Sequence, residues 1–305
     1  MARFLLSRLL QSVLTVFILV SIVFFLVRFT GSPVEFLAGP EATSETKALI
    51  AARLGLDQPL WIQYRIFIAS MITGDLGDSF LFRAPSASIY FQRLPATVLL
   101  ALFGMSIAAL ISLPLGVIAG YRRGSVYDRL AKLLGVIGIA TPAFWLGINL
   151  IFLFAVFLGW LPVSGMSGFK SFILPGITIS LVAIAGLTRL LRSGMIEALG
   201  SESVRLVRAK GGSERLVLWK HSLKNASIPV LSFFGVYAAN MMGGSIVTET
   251  VFAWPGVGYL GYQAMVARDY NLVQTTVLLS GVLVVLVNLA TDVVYFYLDP
   301  RLRER

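Results

Sequence analysis

Ser193–Lys224 reads SGMIEALGSESVRLVRAKGGSERLVLWKHSLK and separates two uncharged stretches, Ser171–Thr188 and Asn225–Thr248. Eight Lys/Arg side chains fall between Arg189 and Lys224. A helix needs about 20 mostly apolar residues to cross the hydrocarbon core. The flanking stretches therefore predict membrane spans, and the basic island predicts a segment held at the water interface between them.

The pattern repeats outward along the chain. Leu9–Val27, Leu94–Tyr121, Leu133–Phe169 and Tyr270–Thr291 are also free of charge, and with the first two they make six stretches read as spans, each of at least 18 residues. Only 13% of the 305 residues are charged and 57% are hydrophobic, with a mean hydropathy of +0.84. Soluble domains carry about 25% charged residues. Runs of Val, Ile, Leu and Phe without strict alternation favour helices over a lipid-facing barrel. The expected fold is an all-α integral membrane protein with six transmembrane helices. The third stretch, 37 residues long, is punctuated by Gly159-Trp160-Leu161-Pro162 and Ser164-Gly165, so one helix followed by an uncharged loop is expected there. Arg3 and Arg8 precede the first span. It exceeds the 7–15 residues typical of a signal-peptide core, roughly, and no Ala-x-Ala-like site follows, so it is read as a retained anchor. The chain has no cysteine, which rules out disulfides and thiolate sites.

Charge asymmetry orients the spans. With six spans, the termini share a side with Arg122, Arg123, Arg129, Lys132, the island, and Arg301, Arg303 and Arg305. That side holds 17 of the 25 Lys/Arg residues, so the positive-inside rule places both termini and the island in the cytoplasm. The net charge of +10 is mostly this topology signal; membrane lipid headgroups account for it and no nucleic-acid partner is needed. The predicted organisation is an N-terminal transmembrane helix over 1–29 and one large extracytoplasmic loop over 30–93. A five-helix core over 94–298 follows, containing the cytoplasmic loop 193–224 between helices 4 and 5, and then a tail over 299–305.

Within the large loop, EATSETKALIAARLGL and WIQYRIFIASMI read as helical, and the chain breaks at Gly74-Asp75-Leu76-Gly77-Asp78-Ser79, where Gly and Asp favour turns. A packed cap and a landing surface for an external partner are both open, and compatible. In the island, Ser201-Glu202 and Ser213-Glu214 each suit a helix N-cap followed by an acid in the first turn. Lys210-Gly211-Gly212 should stop one short helix and turn the chain sharply. Such an elbow could lie on lipid headgroups as an amphipathic segment, or act as a lever seated in a cleft of a soluble partner.

Several chemistries are disfavoured. No Lys follows a Gly, so the chain carries no P-loop of its own. One histidine, His221, and no cysteine make a zinc centre or a Ser–His–Asp site improbable; His221 reads as structural. No catalytic residue and no metal site are expected. Asp292, near the end of the sixth span, reads as a helix-end or ion-pair contact with Asp299 and the basic tail nearby. Without midspan proton carriers, energy would enter through the elbow. Gly104, Ala108, Gly116, Gly135, Gly138, Gly235, Gly243 and Gly244 suit close helix packing. Pro95, Pro114, Pro142, Pro175 and Pro229 mark span starts or kinks.

At these residues the chain resembles the permease subunits of bacterial ABC importers of the dipeptide/oligopeptide/nickel group. The resemblance rests on Arg8-Leu9, Gly74-Asp75-Leu76-Gly77-x-Ser79, Val204-Arg205, Arg208-Ala209-Lys210-Gly211, His221 and Asn225-Ala226-x-Ile228-Pro229. It continues through Glu249-Thr250-Val251-Phe252-x-Trp254-Pro255-Gly256-x-Gly258, Ala267-Arg268-Asp269-Tyr270 and Asp299-Pro300-Arg301. Gly31-Ser32-Pro33 and Ser203-Val204-Arg205-Leu206-Val207-Arg208 depart from the group's usual Gly-Asp-Pro and Tyr-Val-Arg-Thr-Ala-Arg. The resemblance implies a multi-pass protein of the bacterial inner membrane that forms a translocation path for di- or oligopeptides or a related small solute. Its implied partners are a second permease in a heterodimer, two ABC ATPase subunits that bind ATP and Mg, and a periplasmic or lipid-anchored substrate-binding protein. This chain would hold no cofactor. The implied ATPase-coupling residues are Arg205, Arg208, Ala209, Lys210, Gly211, Gly212 and Glu214. Asn240, Met241, Ser245 and Thr248 are candidates for the substrate pathway. The alternative reading is an ATP-independent channel or secondary transporter subunit, which would predict internal repeats or several midspan ionisable residues.

Overall fold

The computed structural model describes residues 2–29, 31–39 and 41–298. Among them the chain is helical, with no strand beyond one antiparallel bridge between Asp78 and Pro85. In chain order the helices are α1 (Ala2–Phe29), α2 (Pro33–Ala38), α3 (Ser44–Arg53), α4 (Leu60–Thr73), α5 (Ser86–Tyr121), α6 (Val126–Ala140) and α7 (Ala143–Leu150). They continue with α8 (Lys170–Gly200), α9 (Glu202–Ala209), α10 (Glu214–Leu216), α11 (Leu223–Met242), α12 (Ile246–Val251), α13 (Val257–Val266) and α14 (Tyr270–Leu298). After α7 the chain winds as a π-helix over Ile151–Phe157, and after α10 over Val217–Ser222. The tail 299–305, with Asp299-Pro300-Arg301, lies outside the described residues.

Among the described residues, four helices are long and apolar enough to cross a membrane: Leu10–Phe29, Ser86–Tyr121, Lys170–Gly200 and Tyr270–Val294. A fifth crossing arises if α6 and the α7 segment form one broken span, bent by 102°. This bend corrects the expectation of a single helix in the third uncharged stretch. Pro142 has no amide hydrogen and disfavours helical geometry in the residue before it. Thr141 is accordingly extended (φ −90°, ψ 115°), and α6 ends at Ala140. The uncharged loop expected after it begins at Leu158.

The fifth apolar stretch also differs in form. Its apolar helix is Pro229–Met242, and a turn at Gly243–Ser245 separates it from the short α12. Helix ends extend beyond the uncharged gaps too: α5 starts at Ser86, across Arg93, and α8 runs past Arg189 and Arg192 to Gly200. Local hydrogen bonding carries a helix through a charged residue at the interface, so charge marks the membrane edge and not the helix end.

The chain divides into two compact units. The first comprises residues 1–96 and 255–283. In it Ile89, Leu260, Ala264, Leu272 and Val273 form a buried cluster, and α4 lies along α1. The Ser21 and Tyr64 hydroxyls are 2.6 Å apart, Arg28 Nε donates to Gln63 Oε1 at 2.8 Å, and Phe24 packs on Tyr64 and Phe67. The helices expected from the large loop form as α3 and α4, and Gly74 ends α4 in the left-handed region (φ +78°).

The second unit comprises residues 97–254 and 284–305. α8 is its axis: 72% of its apolar window is buried, against 11% for α1. It packs on α6 and α11. Small residues set the spacing, since a Cβ at Gly138 would lie 2.5 Å from Ala185 Cβ, and one at Gly186 2.3 Å from the Phe233 ring. Leu187, Leu191 and Met195 of α8 meet Ala226 and Val230 of α11 in the core. Burying each such side chain contributes about 1.5–3 kcal/mol in water; within a bilayer the gain comes from close packing instead.

Candidate functional site

The island folds as an elbow between α8 and α11. α8 stops at Gly200. Ser201 is extended (φ −70°, ψ 152°), but its hydroxyl donates back to the Ala198 carbonyl at 2.6 Å and makes no bond to the α9 amides. This corrects the expectation of a Ser201 side-chain cap. Ser213 does act as one, accepting from the Leu216 amide at 3.4 Å.

α9 ends in a Schellman motif. The Gly211 amide donates to Arg208 O and the Gly212 amide to Val207 O, each at 3.0 Å, satisfying two carbonyls that the helix end leaves free. The two glycines serve different needs. Gly211 sits at φ +77°, where an L side chain is strained, yet space around it is open; Gly212 has an ordinary φ, but its Cβ would fall 2.6 Å from Val207 Cγ1 and 2.9 Å from Val207 O.

Across this turn Arg208 grips Glu214 in a two-pronged contact, Nε to Oε1 at 2.8 Å and Nη2 to Oε2 at 3.1 Å. Hydrogen bonding to Arg208 pulls the Glu214 carboxyl below its ordinary value and raises Arg208 in turn. Both side chains are exposed, so the contact fixes the shape of the elbow more than it stabilises the fold. Val204 and Val217 are fully buried and hold the elbow to the helices behind it.

Of the predicted coupling residues, Arg205, Arg208, Ala209, Lys210, Gly211 and Glu214 are exposed and Gly212 is half-buried. Leu206, Leu216 and Trp219 of the same loop are exposed as well. Sequence reading missed these three, although their place among Arg205, Arg208 and Arg215 was visible. His221 lies in the π-helical turn, half-buried.

A second feature lies at the foot of α8. Ser125 caps α6, its hydroxyl accepting from the Asp128 amide at 3.4 Å. The Asp128 carboxylate, 1% exposed, accepts from the Gly124 amide at 3.0 Å and pairs with Lys132 Nζ at 2.9 Å and Arg192 Nε at 2.5 Å. Asp128 thereby ties α6 to the α8 turn that leads into the elbow.

The pathway candidates occupy unlike surroundings. Asn240 is exposed and donates to Val236 O of its own helix at 3.0 Å. Met241 is buried in the helix-packing core. Ser245 is half-buried in the turn before α12, and Thr248 is buried. Next to Thr248, the buried Glu249 accepts from the Thr97 hydroxyl at 2.7 Å, and Trp254 packs edge-on against Phe172 at 4.6 Å.

Residues 112–304 match the family described as binding-protein-dependent transport system inner membrane component, and residues 1–101 match its N-terminal counterpart. The chain is 38% identical over 304 residues to the glutathione transport system permease protein GsiC of Escherichia coli (strain K12), covering 99% of both chains. It is 35% identical over 301 residues to the dipeptide transport system permease protein DppB of Alkalihalophilus pseudofirmus, covering 90% of each. An inward-facing structure of the MetNI methionine ABC transporter shares the fold, with a TM-score of 0.59 at 19% identity over 69% of this chain and 96% of that one. The chain belongs to the family of binding-protein-dependent inner-membrane transport components, and it is a permease of the ABC-importer group its motifs resemble.

Proposed function

We propose that this chain is one of two permease subunits of an importer for small peptides in the bacterial cytoplasmic membrane. Its similarity to permeases named for dipeptide and glutathione transport supports that cargo class. In this reading the chain crosses the membrane six times, through α1, α5, the α6–α7 pair, α8, α11 and α14. Both termini and the elbow face the cytoplasm, in line with the Lys/Arg asymmetry. The segment 30–93 faces outward toward a substrate-binding protein.

The elbow carries the proposal. A Schellman turn and the Arg208–Glu214 fork brace a surface of Arg205, Lys210, Leu206 and Trp219. The turn and the fork give the elbow a fixed shape, which a cleft on a folded partner can match and fluid headgroups cannot. Two separate ATPase subunits would bind ATP and Mg, since this chain has no Gly-Lys pair for a P-loop. Their closure would favour one arrangement of the spans through differential contact with the elbow, a population shift. Asn240, Met241, Ser245 and Thr248 would border the pathway. Thr248, whose buried hydroxyl has no hydrogen-bond partner among the described residues, suits a residue uncovered in another arrangement.

The test is purification of the tagged chain from native membranes, wild type against Arg205→Glu/Lys210→Glu. Both side chains are exposed, so the variant should fold. Recovery of a second permease with both proteins, and of P-loop ATPases with wild type only, supports the reading. Wild type purified without ATPases, moving solute in liposomes without ATP, would replace it with a self-sufficient carrier.

A further inference from the structure

Beside the foot of α8, a groove of about 580 Å³ opens between α6 and α8. Its walls differ in character. Gly135, Val136 and Ile139 of α6 make one part apolar, with Val136 and Ile139 well exposed. Lys132, Arg189 and Arg192 make the other part basic.

The charges there do not balance. Lys132 and Arg192 both pair with Asp128, whereas Arg189, one turn earlier on α8, is exposed and has no hydrogen-bond or ion-pair partner among the described residues. Three cations thus face a single carboxylate. An unpaired cation on a membrane helix is costly unless an anion or water reaches it, and basic pockets between such helices suit anionic headgroups.

We infer that this groove is a binding site for an anionic phospholipid, with its phosphate on Arg189 and an acyl chain along Gly135, Val136 and Ile139. Such a lipid satisfies both walls at once. A soluble anion would leave the apolar wall uncovered, and a peptide backbone would find no hydrogen-bond partners along it. Gly135 makes the trough: a Cβ built there meets nothing within 4 Å, so its missing side chain leaves a space that the helix packing does not use. Bound lipid would bridge α6 and α8 beside the Asp128 ion pairs.

The intact complex, as purified from membranes, is placed in nanodiscs of phosphatidylethanolamine mixed with phosphatidylglycerol, and retained lipid is counted by native mass spectrometry. Wild type should retain phosphatidylglycerol in preference to phosphatidylethanolamine. Arg189→Gln should lower that retention roughly fivefold, the size of one cation–headgroup contact, while Arg189→Lys should largely preserve it. Gly135→Leu should lower it as well by filling the trough, with thermal stability unchanged. Equal retention of the two lipids, or retention unaltered in Arg189→Gln and Gly135→Leu, overturns the inference. So does efficient crosslinking of Val136→Cys to a second permease subunit with no phosphatidylglycerol bound, which would make the groove a subunit contact.

Discussion

The Ser79 hydroxyl donates to Oδ2 of Asp269 at 2.6 Å, joining turns 190 positions apart in the chain. The same oxygen accepts from the Leu81 amide at 3.0 Å, and Oδ1 caps α14 by accepting from the Leu272 amide at 3.1 Å. Asp269 is fully buried, so three donors, two of them backbone, depend on one carboxylate. The Gly74–Ser79 turn and the Ala267–Tyr270 turn, which the sequence presents as separate motifs, are two halves of one joint.

Replacing that carboxylate leaves buried donors unpaired. Hydrogen bonds to a charged group contribute about 1.5–3 kcal/mol each, and an unsatisfied buried group costs about 1–3 kcal/mol. Allowing for relaxation, Asp269→Ala should destabilise by about 2–4 kcal/mol, and Asp269→Asn or Ser79→Ala by less. Thermal unfolding in detergent should rank wild type above Asp269→Asn and Asp269→Asn above Asp269→Ala. Equal melting temperatures for all three would show that the joint contributes nothing.

Asp128 and Arg192 should behave as a coupled pair. Asp128 is buried, whereas the Arg192 side chain is 22% exposed, so water screens the contact in part. Asp128→Asn is expected to cost about 2 kcal/mol, below the range for wholly buried pairs. The double variant Asp128→Asn/Arg192→Gln should cost less than the sum of the singles, a coupling of about 1 kcal/mol or more in a double-mutant cycle. Strict additivity would mean that the contact does not link α6 to α8.

Two glycines on α6 give opposite expectations. At Gly138 a Cβ would meet Ala185 Cβ at 2.5 Å and the Leu181 carbonyl oxygen at 2.9 Å, neither of which can rotate away. Gly138→Ala should therefore push α6 from α8 and cost about 1–3 kcal/mol, as overpacking does. At Gly135 nothing lies within 4 Å, and Gly135→Ala should be neutral or stabilising by up to about 1 kcal/mol from helix propensity. The two melting temperatures, compared directly, check this.

Much of this architecture was legible in the residue pattern, and the parts that were not share a cause. Uncharged runs located the four long apolar helices, the bent α6–α7 pair and the helix over Pro229–Met242, because the bilayer excludes charge over a fixed thickness. The elbow's turn was legible because Gly211 and Gly212 meet demands that few other residues meet. Pro142 was legible as a span start or kink, but a bend as sharp as 102° was not, because a proline starts, kinks or ends a helix depending on what packs beside it. Leu206, Leu216 and Trp219 look like ordinary core residues until the structure turns them outward. Asp128 and Arg192 lie 64 positions apart, and their pairing depends on how α6 meets α8. Local rules carry to the end of one helix, and contacts between helices need the fold.

The fork between Arg208 and Glu214 should make the elbow sensitive to acid. Hydrogen bonding to Arg208 sets the Glu214 carboxyl below its ordinary 4.5. A depressed carboxylate contributes while ionised: its bracing is fully present above 4.5 and is lost as the pH falls through the lower value in the folded chain. Spin labels at Leu206→Cys and Leu216→Cys, both exposed positions, report the gap between α9 and α10. Their distance distribution should be narrow at neutral pH and broaden reversibly on acidification below the ordinary carboxylate range. In Glu214→Gln it should be broad throughout, with no pH step. Arg208→Lys should broaden it at neutral pH, because an ammonium keeps the charge but cannot make the two-pronged contact. A distribution that stays narrow in Glu214→Gln would mean that the Schellman turn alone sets the angle of the elbow.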